Sequence, residues 1–149
     1  MTARLSYQDV QVGTELEPRS YQVTRGDLIR YAGASGDFNV IHWNERIATS
    51  VGLPNVIAHG MFTMAQAAKY VTEWAGDPGA VVDLGVRFSA VVEVPDTGPP
   101  LGGSTGGATI EVSGTIEEKL DDSKVAIALT AVSSGAKVLT RARAVVRLP

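Results

Sequence analysis

The sequence predicts an α+β fold in which one antiparallel sheet wraps around a long helix. In the first half, apolar residues fall at helical spacing, most clearly over 57–75. In the second half, successive segments are rich in Val, Ile and Thr and alternate in part with polar residues. Helices followed by strands are typical of α+β folds rather than of alternating β–α–β units. The 149 residues suffice for one domain, over 1–149, with its own core.

Composition excludes several functional classes. A net charge of −3 offers no basic face for nucleic acid. The absence of cysteine excludes disulfides, thiolate metal sites and a cysteine nucleophile, and two histidines are too few for a multi-histidine metal cluster. No apolar run reaches the roughly 20 residues of a membrane span, and the N-terminus lacks the pattern of a signal peptide. We therefore expect a cytoplasmic protein. We expect it to contain no metal and to bind neither nucleic acid nor membrane.

The first elements are predicted from local signals. Residues 1–18 suggest an extended lead-in segment, and the alternation over 19–23 suits a short strand. Thr24 followed by Asp27 suggests a capping box with Asp in place of Glu, which begins a helix over 24–34.

Two further helices follow. Asn44 is a typical N-cap for a short helix over 45–51, which ends at a glycine. The long helix over 57–75 has few polar positions, so we expect it to be largely buried, and Gly76 begins the turn that ends it.

The second half predicts four strands joined by turn residues. The segments with strand character are 80–94, 109–120, 125–133 and 137–148. The last three, with tight turns between them, imply an antiparallel meander. The Pro/Gly loop at 95–107 is predicted to be exposed and mobile.

The stretch from Ser35 to His42 concentrates polar chemistry within eight residues. Gly36 permits a sharp backbone path, and Asp37 and Asn39 are side chains that build turns. A carboxylate at Asp37 and an imidazole at His42 can face the same small volume, as a general acid–base pair requires. The residues alone leave a second interpretation open, a surface loop in which Asp37 and Asn39 only satisfy turn amides.

Gly60 is predicted at the start of the long helix. The first amides of a helix lack partners and lie at its positive end, so they can stabilise an enolate or thioester oxyanion. A glycine placed only for close packing is the alternative. We expect His59 to cap or pack rather than to act as a second base, and the spacing does not support a metal site of both histidines with Asp37.

The motif from Ser35 to His42, followed by Ala58–Met61, resembles the MaoC-like (R)-specific enoyl hydratase/dehydratase family. The likeness is greatest to the actinobacterial B-type dehydratase subunits with a single hotdog, and it extends over the 24–34 helix, residues 79–88 and the terminal meander. Val40 stands where the motif usually has proline.

This resemblance implies a single hotdog, with a long helix in a curved antiparallel sheet and two hotdogs paired side by side. It implies that Asp37 and His42 form a catalytic dyad that activates water for syn addition across a trans-2-enoyl thioester. It also implies an oxyanion contact from the amide of Gly60. We assign Asn39, Ser35 and His59 to substrate-binding or supporting roles.

The expected function is a hydro-lyase: (R)-specific hydration of enoyl thioesters of CoA or acyl carrier protein, or the reverse dehydration, without a cofactor. The expected assembly is a homodimer, or a heterodimer with another hotdog subunit. One alternative is a thioesterase, whose usual sites place a carboxylate on the long helix, where this chain has Gln66 and Lys69 and only later Glu73. The other is an acyl-binding subunit of a heteromeric dehydratase, which would be expected to have lost the dyad.

Overall fold

The computed structural model describes residues 5–98 and 106–149. Over these residues the chain forms three α-helices, five strands and two short 3-10 turns. In chain order they are a turn at Tyr7–Asp9, β1 (Glu15–Val23), α1 (Arg25–Ser35), a turn at Val40–His42, α2 (Glu45–Ser50), α3 (Gly60–Ala75), β2 (Val81–Phe88), β3 (Ala108–Leu120), β4 (Lys124–Ser133) and β5 (Ala136–Arg147).

The strands form one antiparallel sheet in the order β1-β3-β4-β5-β2. The predicted meander of the last three strands is confirmed. Its two turns contain residues with positive φ, +58° at Asp122 and +56° at Ser123, then +49° at Ser134 and +77° at Gly135. Left-handed conformations of this kind occur in tight hairpins, where Asp, Ser and Gly are favoured. The strands β1 and β2 are left at the two edges.

The helix α3 lies against the sheet and contacts β1, β2, β3 and β5. Ala67, Tyr70 and Val71 are fully or almost fully buried at helical spacing and belong to the core. The expected burial holds for one face only, because an exposed stripe runs along the helix at a spacing of four residues: Met61, Ala65, Lys69 and Glu73. Within residues 5–98 and 106–149, no helix combines the length and the apolar character needed to cross a membrane.

Two predicted boundaries are wrong for one reason. The long helix begins at Gly60 rather than at 57, and the strand predicted over 80–94 ends at Phe88. Segments 56–58 and 92–94 instead pair with each other through two backbone hydrogen bonds and an isolated bridge. The apolar residues that suggested longer elements are buried by this pairing.

The first strand is longer than the sequence predicted. It begins at Glu15, within the predicted lead-in segment, and its pairing with β3 continues across an irregularity between Leu16 and Arg19. Pro18 lies in this irregularity, where a missing N–H is tolerated.

The predicted helix caps are confirmed. Thr24 and Asp27 form a reciprocal capping box at α1, and the side chain of Asn44 caps α2. Residues 99–105 of the predicted Pro/Gly loop lie outside the described residues. Its described parts, on either side of these residues, are exposed or half-buried.

Candidate active site

The loop after α1 carries the predicted acid–base residues. Gly36 caps α1 with a φ of +76°, which glycine adopts without steric cost. The Ser35 hydroxyl then accepts a hydrogen bond from the Asp37 N–H at 3.2 Å. The Asp37 carboxylate accepts one from the Asn39 N–H at 3.1 Å, and the Asn39 side chain accepts one from the Ile41 N–H at 3.3 Å. Ser35 and Asn39 therefore hold the shape of the loop.

His42 is buried, with one ring nitrogen facing Asp37. Its Nδ1 lies 2.7 Å from the backbone oxygen of Ile57. Because a carbonyl oxygen only accepts, Nδ1 carries the proton of the neutral ring and Nε2 keeps its lone pair. Nε2 lies 4.0 Å from Oδ2 of Asp37, whose side chain is 53% exposed. The two groups thus present a base and a carboxylate to one small volume.

The surroundings of His42 favour its neutral form. Burial is the largest influence, and it lowers the pKa of His42 below the ordinary value of 6.5. The hydrogen bond to Ile57 and the charge of Asp37 act in the opposite direction, but burial outweighs them, so the net shift of the pKa is downward. The ring is therefore available as a base at neutral pH.

His59 lies directly on His42. The two ring centroids are 3.8 Å apart with 23° between the planes, and Nε2 of His59 lies 3.1 Å from the backbone oxygen of Asp37. The ring of Tyr31 packs against His59 at 4.8 Å. This is the placement of a packed, hydrogen-bonded side chain, and His59 stays a predicted supporting residue.

Gly60 is the first residue of α3. Among the residues that the structure describes, no hydrogen-bond acceptor is found for the N–H of Gly60 or Met61, and the helix dipole adds partial positive charge there. A Cβ at Gly60 would lie 3.2 Å from the ring of Phe88. Close packing and a free amide therefore coincide at this glycine.

A cavity of about 140 Å³ opens beside His42 and Gly60. Its other walls are mostly apolar and include Ile57, Thr63, Phe88, Val92 and Val138. Two larger cavities, of about 270 and 540 Å³, lie beyond the C-terminal end of α3 and beside β1 and β3, and neither is lined by a histidine. Of these three cavities, only the smallest joins the candidate base to an apolar space.

The side chains of Asp37, His42 and His59 bring possible metal ligands within 4.8 Å of one another. A histidine binds a metal through a lone pair in its ring plane, with a Zn–N distance of about 2.1 Å. Two nearly parallel rings stacked 3.8 Å apart have lone pairs that run side by side and do not converge. The stacked arrangement fits a hydrogen-bonded pair of rings better than a metal site.

Sequence reasoning assigned no role to several residues that shape the site. The carbonyl of Ile57 orients His42, Phe88 covers Gly60, and Val92 and Val138 line the cavity. A backbone carbonyl carries no signal in the sequence. Phe88, Val92 and Val138 resemble ordinary strand residues, so no local pattern distinguishes them.

Comparisons with known proteins show what this chain is similar to. A family model described as "MaoC like domain" matches residues 8–133. The chain is similar to "3-hydroxyacyl-thioester dehydratase X" of Mycobacterium tuberculosis, with 42% identity over 76 residues that cover 51% of this chain and 26% of that protein. It is also similar to "(R)-specific enoyl-CoA hydratase" of Rhodospirillum rubrum, with 29% identity over 128 residues, 85% of this chain and 81% of that protein.

A solved structure titled "MaoC-like dehydratase" matches with a TM-score of 0.89 and 42% identity over 97% of this chain. The match covers 42% of that solved chain. The present chain therefore spans about a quarter of the Mycobacterium relative and less than half of this solved chain.

Proposed function

This chain belongs to the family of MaoC-like domains and has a single hotdog fold, and from that premise we propose that it is an (R)-specific hydratase of trans-2-enoyl thioesters. The same site would dehydrate (R)-3-hydroxyacyl thioesters in the reverse direction. The similarity to an (R)-specific enoyl-CoA hydratase over most of both lengths supports the reaction class and its stereochemistry.

One observation carries the proposal: Nε2 of a neutral, buried His42 faces the carboxylate of Asp37 at 4.0 Å, beside an apolar cavity and a helix N-terminus. That separation is too long for a direct hydrogen bond. It leaves both groups free to contact one substrate water.

The proposed mechanism uses this water. Nε2 of His42 accepts a proton as the water oxygen attacks C3 of the enoyl group. The resulting imidazolium returns the proton to C2, so one water is added and no other donor is needed. Asp37 orients the water and stabilises the imidazolium. The hydroxyl group and the proton are both delivered from one side of the double bond, which gives syn addition.

The thioester oxygen would bind at the start of α3. As C3 is attacked, negative charge develops on this oxygen, and the N–H of Gly60 can donate to it at the positive end of the helix. Among the described residues, no carboxylate lines the cavity beside His42, and the ring of Phe88 packs against Gly60.

The cavity volume favours a short acyl chain. A cavity of about 150 Å³ holds a molecule with the size of benzene, so about 140 Å³ beside His42 accommodates roughly six carbon atoms. We therefore propose acyl groups of about four to six carbons, carried by CoA or by acyl carrier protein. The edge strands β1 and β2 offer unpaired backbone to a second hotdog subunit, either identical or different.

Purified protein tests the proposal with crotonyl-CoA, by the loss of absorbance of the enoyl thioester. We expect Asp37→Asn and His42→Ala each to lower kcat/KM by about 10²- to 10⁴-fold. Asp37→Asn keeps an oxygen that can accept from the Asn39 N–H, so the loop can retain its shape. Asp122→Asn, at the exposed turn after β3, is the matched control. Wild-type rates in both dyad variants would refute the proposal. The configuration of the 3-hydroxyacyl-CoA product is identified with (R)- and (S)-specific 3-hydroxyacyl-CoA dehydrogenases.

The thioesterase alternative has less support. The late carboxylate of α3, Glu73, is held by Arg19 at 2.6 Å and by the Tyr21 hydroxyl at 3.0 Å. Among the described residues, the cavity beside His42 is lined by no carboxylate of α3. Release of free thiol from acyl-CoA by the wild-type protein would favour hydrolysis. Activity that requires a second protein would favour the acyl-binding subunit.

A further inference from the structure

His59 takes no part in the proposed mechanism, yet it contacts both members of the dyad. Its ring stacks on His42 with 3.8 Å between centroids, and its Nε2 lies 3.1 Å from the backbone oxygen of Asp37. The residue is 2% exposed. It directly precedes Gly60, so it also links the dyad to the proposed oxyanion donor.

These contacts determine the protonation state of His59. The carbonyl oxygen of Asp37 only accepts, so Nε2 carries the proton. Nδ1 is buried and has no hydrogen-bond partner among the described residues. If Nδ1 keeps a lone pair, the cost of burying it without a partner is modest. If Nδ1 carried the second N–H of an imidazolium, that donor would be buried without an acceptor and with part of a positive charge, which costs more.

We propose that His59 is a positioning residue: a neutral imidazole, protonated at Nε2, that holds Asp37 and His42 at the separation that one water needs. This inference rests on the proposed hydratase function. The hydrogen bond anchors the backbone of Asp37, and the stacked face restrains the ring of His42. A neutral His59 also adds no charge beside the imidazolium that forms on His42.

Other ionisable groups near the dyad are few. In the part of the chain that the structure describes, the titratable groups that face His42 are Asp37 from the loop and His59 from the segment before α3. Tyr31 of α1 packs against His59, and the remaining cavity wall is apolar apart from the hydroxyl of Thr63. A change in the ionisation of the site would therefore be traced to one of these groups.

Nitrogen NMR of protein labelled in its histidines tests the protonation state without any activity measurement. The chain has two histidines, so one His42→Gln variant assigns both. We expect His59 to show the Nε2–H tautomer, and His42 to show Nδ1–H when neutral. An Nδ1–H tautomer at His59 would overturn the inference.

Kinetics test the positioning role. His59→Phe keeps a ring face and loses the donor, and we expect kcat to fall about 10- to 100-fold with KM little changed, because a misplacement of about 1 Å costs that order. His59→Gln keeps a donor at a similar reach, and we expect it to recover part of kcat. Tyr70→Phe removes a hydrogen bond from another buried ring, further along α3, to the backbone oxygen of Glu17, and it is the control.

Wild-type kcat in soluble His59→Phe would overturn the positioning role. If that variant does not fold, wild-type kcat in His59→Ala, or no difference between His59→Gln and His59→Ala, would overturn it instead. An inactive wild-type protein with the expected NMR signature would refute the proposed function while the state of His59 stands, so the two failures are distinguishable.

Discussion

The ring of Phe88 lies against the Cα of Gly60, so that a Cβ on Gly60 would be 3.2 Å from Cε1 of Phe88. Phe88 is the last residue of β2, and Gly60 is the first of α3. The contact therefore joins the edge of the sheet to the start of α3, and both residues line the cavity beside His42. Substitutions can therefore test the ring of Phe88 and the backbone N–H of Gly60 separately.

The amide of Gly60 can be removed with little effect on the helix. Proline is favoured at the first helical position, and the preceding residue, His59, already has a ψ of 136°, which suits a residue before proline. With Phe88→Ala to make room, we expect Gly60→Pro to lower kcat about 10²- to 10³-fold relative to Gly60→Ala in the same background, because only proline lacks the donor. Equal kcat values in the two double variants would show that this amide does not bind the oxyanion.

The acid limb of the activity profile should lie below pH 6.5. Burial is the main cause of the lowered pKa of His42, and only the neutral ring acts as the base. We therefore expect kcat/KM for crotonyl-CoA to be constant near neutral pH and to fall as pH falls through the lowered pKa of His42. An acid limb above pH 6.5 would contradict the assignment of His42 as the base.

The same shift predicts a change in stability. Since His42 has the lower pKa when folded, the unfolded chain binds more protons, and stability rises with pH. The contribution of His42 is full above pH 6.5 and is lost as pH falls below 6.5 towards the folded pKa. Urea unfolding of the wild type and of His42→Gln at several pH values measures it, and parallel pH dependences of the two proteins would contradict the prediction.

Val40→Pro should stabilise the loop. Val40 opens the 3-10 turn, its N–H has no acceptor in the described part of the chain, and Asn39 has a ψ of 125°. We expect a gain of about 0.5–1 kcal/mol in the free energy of unfolding, because proline reduces the freedom of the unfolded chain. Activity should change little. Val51→Pro is the contrasting control, since its N–H donates to Ile47 and its replacement should destabilise.

Val138→Ala should extend the range of acyl chains. Val138 is 1% exposed and lines the cavity beside His42. We expect the ratio of kcat/KM for octenoyl-CoA to that for crotonyl-CoA to rise about tenfold, together with a loss of about 2 kcal/mol in stability. Val112→Ala removes the same atoms from a buried site in β3 that does not line this cavity. A similar ratio in both variants would show that the cavity does not bind the acyl chain.

Much of the fold was predictable because its signals are local. The capping box of Thr24 and Asp27 and the hairpin turns depend on residues within a few positions of each other. The start of the long helix at 57 and the end of the strand at 94 were predicted wrongly, because the apolar residues of 56–58 and 92–94 look alike in a regular element and in two segments that pair with each other.

The sequence by itself determined the α+β class, the order of the elements and the closeness of Asp37 to His42. These depend on periodicity and on turns, which act over a few residues. Only the tertiary structure decided which nitrogen of His42 is free, what covers Gly60 and how large the cavity is. Those features depend on Ile57, Phe88 and Val138. These three residues reach the site only because the sheet packs around α3, and the distances between packed elements are not encoded in any local pattern.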